Sequence, residues 1–448
     1  MDEKENGYVN EPEQSKDTDF ITEKIKQRPI NKKKLLRRTI LTAAMAVLFA
    51  LVACLTFLIL EPVISNWLYP EEEPAPIELP AETEEMLPED MIADESEIIQ
   101  VTEPENSQIT EEQISQMLKN VKLDVNDYSA MYTSMADVAK EAGKSVVTVT
   151  GSVSNVNWFN DPYESKDQTS GVIVARRAEE LYILVNYKAI EDADSIVVTF
   201  VDGEQVQAQM KKKDKNTTLA IVTVAEKDLK KETISAIKEA NMTGGSGSTA
   251  LVGSPVIAIG SPIGTGRSVC YGVVTSNNIV LNMADAYYKL LTTDIYGSQN
   301  ASGILVNMSG QIIGIIDNSY NISDMKNLVS GVGITELKKV IERMSNGLDQ
   351  AYLGVSGTDV TIDANETLGV PFGAYITEID MDSPAMAAGI QSGDIITKIG
   401  DKEIKAYNDL VYAMIEARPE QNKVITLMRQ GQEEYTEMEI EATIGILE

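Results

Sequence analysis

The 448-residue chain reads as a mostly β protein: two β-barrels of similar size, then a small α+β domain, behind one N-terminal single-pass transmembrane helix. Three observations predict this. Residues 39–60 carry no charge and are apolar throughout. From residue 145 short β-rich segments recur in two sets between turn-forming residues. The stretch from Tyr352 onward mixes strands with one clear helix.

Composition narrows the chemistry first. Asp and Glu number 69 against 38 Lys and Arg, a formal charge of −31. Nucleic acid is therefore not expected as a partner, because a phosphate-binding face needs clustered cations. The two cysteines, Cys54 and Cys270, cannot build a Cys-based metal site, and no disulfide is expected. The chain contains no histidine. That rules out a Ser-His-Asp triad, a Cys-His pair and a His-ligated zinc within this chain. No metal site and no cofactor are expected.

Residues 1–38 are polar and end in a basic cluster, Lys32, Lys33, Lys34, Arg37 and Arg38. The following 22 residues, TILTAAMAVLFALVACLTFLIL, reach about 33 Å as a helix, enough to cross the hydrocarbon core of a bilayer. The basic cluster before the span and the acidic residues after it place the N-terminus in the cytoplasm and the bulk outside. The lipid bilayer is thus an expected partner through 39–60. Residues 61–115 hold 17 acidic residues, no Lys or Arg, and seven prolines. Such a segment repels itself and cannot bury a core, so 61–125 is read as a disordered acidic stalk.

The next texture is β. MADVAKEAGK suggests a short helix, followed by SVVTVTGSV, SGVIVARR, LYILVNY, SIVVTFVDG, EQVQAQM and LAIVTV. Asp202-Gly203 is a hairpin turn between two of these strands. TGGSGS, 243–248, reads as a flexible connector. A second set follows: SPVIAIGS, SVCYGVVTS, YKLLTTDI, ILVNMSG and QIIGIID, closed by a helix at TELKKVIERM. From Tyr352 come YLGVSG, AYITEID, the loop DSPAMAAGIQSGD, the strand IITKIG, the helix NDLVYAMIEA and a terminal hairpin. The boundaries expected are 1–38 for the tail, 39–60 for the span, 61–125 for the stalk, 126–345 for the double barrel and 346–448 for the last domain.

These landmarks stand in a known order. SGVIVARRAEELYILVNYKAI, LAIVTV, SPVIAIGSPIGTGRSVCYGVVTS and LLTTDI resemble the successive strands of the HtrA family, and SPAMAAGIQSGDIITKIGDKEI closely resembles its PDZ motif. HtrA proteins pair a chymotrypsin-like (trypsin-like) double β-barrel with a PDZ domain. The resemblance implies extracytoplasmic protein quality control, a homo-oligomer, specifically a trimer, and a PDZ loop at Tyr352, Leu353, Gly354 and Val355 whose backbone N–H groups receive the C-terminal carboxylate of a peptide. The peptide then adds as a strand at the neighbouring edge.

Carried over position by position, the catalytic residues are absent. The family's histidine falls at Lys188 and its aspartate at Thr218. In GSQNASGILVN, counting back from LVN puts Ala301 at the nucleophile, whereas counting forward from TTD puts Ser302 there. A serine hydroxyl attacks only when a base with a pKa near working pH takes its proton. Protonated lysine cannot, and threonine supplies no compensating charge. Three readings follow: an HtrA-like pseudoprotease that binds polypeptide ends or modulates an active relative; an endopeptidase using Ser302 with Lys188 as a desolvated base; and a structural oligomerisation scaffold.

Overall fold

A computed structural model of the chain describes residues 40–54, 56, 75–80, 124–156, 162–247, 250, 252–432 and 434–447. The chain divides into two compact units, Met1–Glu73 and Pro74–Glu448. In the first, residues 40–54 and 56 are helical, with exposed apolar side chains such as Leu48 and Phe49. Among the described residues no helix is long and apolar enough to cross a membrane. The tail at 1–38 and residues 39, 55 and 57–60 of the expected span lie outside the described residues.

The second unit contains a piece of the acidic stalk that behaves unlike a spacer. Residues 75–80 are described, and Ile77 is buried in the apolar cluster beneath the helix of residues 334–345. Asn346 holds Ile77 from both sides: its side chain accepts from Ile77 N at 2.8 Å and donates to Ile77 O at 3.0 Å. Leu79 N donates to Glu342 at 2.8 Å. Two alternate apolar residues anchor the strip: Ile77 is buried, Leu79 packs partly buried against the same cluster, and the N–H of each finds an acceptor. Residues 61–74 and 81–123 lie outside the described residues.

Helix α1, Val125–Ala142, starts nearly three turns before the sequence pattern suggests. Asp124 caps it by accepting from Asn126 N and Asp127 N, and Asp127 reaches back to Asp124 N, forming a capping box. Only Ala139 of α1 is buried, so its first turns carry little periodic signal.

The first barrel closes in the order β1-β2-β3-β6-β5-β4. Its strands are β1 Val146–Val156, β2 Pro162–Arg177, β3 Glu180–Asn186, β4 Ser195–Thr199, β5 Gln205–Lys213 and β6 Leu219–Ala225. The Asp202-Gly203 turn forms as expected, with Gly203 at φ +93°. The short helix α2, Lys231–Ala236, follows β6.

The second barrel closes in the order β10-β11-β12-β9-β8-β7. Its strands are β7 Pro255–Ser261, β8 Ser268–Met283, β9 Ala286–Tyr296, β10 Ser302–Val306, β11 Ile312–Asp317 and β12 Leu328–Gly333. Strands β3, β10 and β11 are buried on both faces, which is why they read as unbroken apolar runs. In β3, Ile183 and Val185 point into the first barrel, and Leu184 points into the seam between barrels.

Three features of the barrels depart from the sequence pattern. Strand β12, LVSGVG, was not expected because its glycines weaken a strand signal. Gly331 is required there: a Cβ would sit 2.7 Å from Ile315 O. Strands β8 and β9 extend past their apolar cores into a long hairpin, turning at Ala284-Asp285 between the paired Met283 and Ala286. The 243–248 connector is packed rather than loose where described: a Cβ on Gly244 would lie 2.2 Å from Ile312 O, and Ser246 is buried. Gly244 answers this close backbone approach.

Helix α3, Ile334–Ser345, closes the double barrel by burying Leu337, Val340, Ile341 and Met344. The last domain is a sheet in the order β14-β15-β16-β18-β19, with β17 on β16 and a separate β13-β20 pair. These strands are β13 Ala351–Tyr352, β14 Val355–Asp359, β15 Ala374–Ile379, β16 Ile395–Ile399, β17 Lys402–Glu403, β18 Asn422–Gln430, β19 Tyr435–Thr443 and β20 Gly445–Ile446. Two short helices, α4 Ile362–Leu368 and α5 Pro384–Ala388, flank it, and α6, Tyr407–Glu416, buries Tyr407, Leu410 and Met414 in its core. Chain direction and packing thus give a mostly β molecule with the double-barrel and α+β architecture expected.

Candidate functional sites: the interbarrel cleft and the backbone N–H loop

The cleft between barrels gathers Lys188, Thr218, Ala301 and Ser302, the positions that the family resemblance aligns with a catalytic triad. Strand β3 ends at Asn186, and the tight turn Tyr187–Ala189 carries Lys188 outward, exposed, with its N–H donating to Asn186 Oδ1 at 3.1 Å. Tyr187 N donates to Thr218 O at 2.9 Å, which ties the two positions through backbone. Thr218 sits at φ +56°, an uncommon conformation for a β-branched residue. Its hydroxyl donates to Asp317 Oδ2 at 3.3 Å, and Asn186 Nδ2 lies 3.5 Å from the same oxygen. Asp317, at the end of β11, is buried and was not singled out from sequence; it closes an otherwise apolar run.

Ser302 opens β10, directly across from Asp317. Its hydroxyl is buried, accepts from Ser170 N at 2.9 Å and lies 3.2 Å from Ser170 Oγ. Among the described residues no hydrogen bond joins it to Lys188. Ala301, 8 % exposed, packs with the core of the second barrel, and its N–H donates to Ser298 O at 3.1 Å. The N–H that would form part of an oxyanion hole if Ala301 is the nucleophile position is therefore already occupied. The crevice bounded by Ser170, Leu184, Asn186, Leu219 and Ser302 has a free volume of about 10 Å³, about one water. The chemistry this offers is hydrogen bonding; no group bonded to Ser302 can serve as its base.

The second site is built from backbone. Between β13 and β14, Gly354 takes φ +83°, and a Cβ there would meet Ser383 Cβ at 2.3 Å. The loop carbonyls face the domain interior: Ala385 N donates to Leu353 O and Asp380 N to Gly354 O, each at 2.9 Å. That turns three N–H groups to the opposite side, where they converge on one carboxylate, Asp285. Leu353 N and Gly354 N donate to its Oδ2 at 2.6 and 2.7 Å, and Val355 N to its Oδ1 at 3.2 Å. Tyr352 braces the loop by donating its hydroxyl to Asp380 at 2.7 Å, and burial together with that carboxylate pushes its phenol up. Sequence reasoning pointed to 352–355 but not to Asp285, which no local pattern marks.

Residues 169–315 match a trypsin-like peptidase domain and residues 343–440 a PDZ domain. The chain belongs to the HtrA family. It is 30 % identical to the serine protease Do-like HtrB of Bacillus subtilis over 260 residues, 54 % of this chain and 55 % of that protein. With the serine endoprotease DegS of Haemophilus influenzae it shares 26 % identity over 323 residues, 70 % of this chain and 88 % of that one. The chain thus spans just over half the length of HtrB, and likewise 55 % of a DegP-like endoprotease of Halomonas elongata. Among solved structures, the HtrA-type protease AlgW with decapeptide shares the fold at a TM-score of 0.52 and 23 % identity, over 70 % of this chain and 98 % of that one.

Proposed function

We propose that this HtrA-family protein is a membrane-anchored pseudoprotease. Its PDZ domain binds peptide or polypeptide C-termini outside the cytoplasm, in protein quality control or in regulation of an active relative. The observation that carries the reading is the pairing of a histidine-free chain with a Ser302 hydroxyl that is buried against Ser170. Without a base, the double barrel keeps the architecture of a protease and lacks its proton acceptor. The convergence of three N–H groups at Leu353, Gly354 and Val355 supports carboxylate recognition, since such a cluster is a ready anion site. The anchor at 39–60, the extracytoplasmic location and the oligomeric, trimeric state belong to the same proposal.

The test is turnover of casein by the full chain and by Ser302→Ala. The expected result is no cleavage by either protein. Cleavage that Ser302→Ala abolishes would establish the lysine-assisted endopeptidase instead.

A further inference from the structure

Asp285 meets the PDZ loop as a chain end would. A C-terminal residue binds such a site with its carboxylate in the N–H cluster and its own N–H on the first strand carbonyl. Asp285 does both: its carboxylate takes the three N–H groups, and its backbone N donates to Val355 O at 2.8 Å. Tyr407 of α6 clasps both partners, its hydroxyl lying 2.9 Å from Val355 O and 3.1 Å from Met283 O. The turn suits this role. Asp285 sits at φ +56°, which aspartate, asparagine and glycine tolerate best, and this aims its side chain off the hairpin tip into the loop.

We propose that Asp285 is a built-in ligand of the PDZ carboxylate site, so that an external chain end binds only by displacing the tip of the β8–β9 hairpin. This inference rests on the peptide-binding reading above and adds its regulation. The external partner it fits is a polypeptide with a free C-terminal carboxylate, because an amide cannot replace a carboxylate that accepts three N–H bonds.

The lock is a weak one. Among the described residues no lysine or arginine pairs with Asp285, and burial pushes its carboxyl up to about 6 despite the three donors. A charged carboxylate held there at neutral pH pays desolvation without a counter-charge, which favours exchange for an external ligand. The tip is also tied to the first barrel. Asn216 Nδ2 donates to Ala284 O at 2.9 Å, and Asn216 lies two residues before Thr218. Displacing the tip breaks that bond, so occupancy of the PDZ site is felt in the loop that lines the interbarrel cleft.

The experiment uses the full chain, a fluorescein-labelled pool of decapeptides with degenerate sequence and a free carboxylate, and the same pool amidated. Asp285→Asn and Asp285→Gly both keep the left-handed turn. Each is expected to bind the free-acid pool about tenfold more tightly than wild type, because the competing internal ligand is gone, and neither should take the amidated pool. Hydrogen exchange in wild type gives a second readout: saturating free-acid pool should speed exchange at Asp285 N while Leu353, Gly354 and Val355 stay protected. Equal affinity of wild type and both variants would overturn the built-in ligand and leave the peptide-binding reading standing. Unchanged exchange at Asp285 N with the pool bound would overturn it too. Failure of every protein to bind the free-acid pool would remove the peptide-binding reading, and this inference with it.

Discussion

Ser302 and Asp285 each set a side-chain oxygen against backbone N–H groups, one in the interbarrel cleft and one in the PDZ loop. Ser302 accepts one N–H, from Ser170, in a crevice with room for about one water. Asp285 accepts three at the start of β14, where its own N–H also donates to Val355 O. The difference lies in what each chemistry requires. Proton transfer from Ser302 needs a side-chain base within hydrogen-bond reach, and among the described residues its hydroxyl meets only Ser170. Carboxylate recognition by backbone needs only that the loop keep its path, which Gly354 secures.

The largest way to break the comparison is therefore Gly354→Ala. A left-handed φ and a Cβ 2.3 Å from Ser383 Cβ together should cost about 2–4 kcal/mol of stability and abolish peptide binding. Urea unfolding and peptide anisotropy on the full chain check both; unchanged binding would show that the N–H cluster is not the site.

The next effect is in pH. Asp285 has its docked pKa raised from 3.8 to about 6, so its docking contribution is fully present below about 4 and fades as pH rises through about 6. The titratable groups facing it are Tyr352 and Asp380 on the loop side and Tyr407 on α6. The difference in thermal midpoint between wild type and Asp285→Asn should shift in favour of wild type on acidification from pH 7 to pH 4. A difference that stays flat, or moves the other way, contradicts the enclosed carboxylate.

Smaller effects sharpen each side. Ser302→Ala leaves Ser170 N without its buried acceptor and should cost about 1–2 kcal/mol in urea unfolding, with no change in turnover. Tyr407→Phe removes the clasp on Met283 O and Val355 O and should cost about 1 kcal/mol, with tighter rather than weaker binding of an external chain end.

Much of this was legible in sequence, for physical reasons that differ by element. Strands β3, β6 and β11 bury both faces and announce themselves as apolar runs. The PDZ domain was legible because YLGV and SPAMAAGIQSGD resemble a known motif. Strand β12 was hidden because its glycines answer close approaches, Gly331 to the Ile315 carbonyl and Gly333 to the Ser246 side chain. The hairpin tip was hidden because Asp285 matters through a partner some 70 residues away, which no local pattern reports. Residues 75–80 were masked by their acidic, proline-rich setting, although Ile77 and Leu79 are alternate apolar residues of the kind that dock. In the cleft, resemblance singled out Lys188 and Thr218, whose turns meet through the Tyr187 N–H and Thr218 carbonyl, but the engagement of Ser302 with Ser170 and the presence of Asp317 depend on strand register across the seam.

Labelling of the full chain by a serine-directed fluorophosphonate, read by intact mass with and without the free-acid peptide pool, bears most directly on the claim that recognition persists where catalysis does not. The expected result is no adduct in either condition while the pool binds. An adduct that appears, maps to Ser302 and vanishes in Ser302→Ala would contradict it.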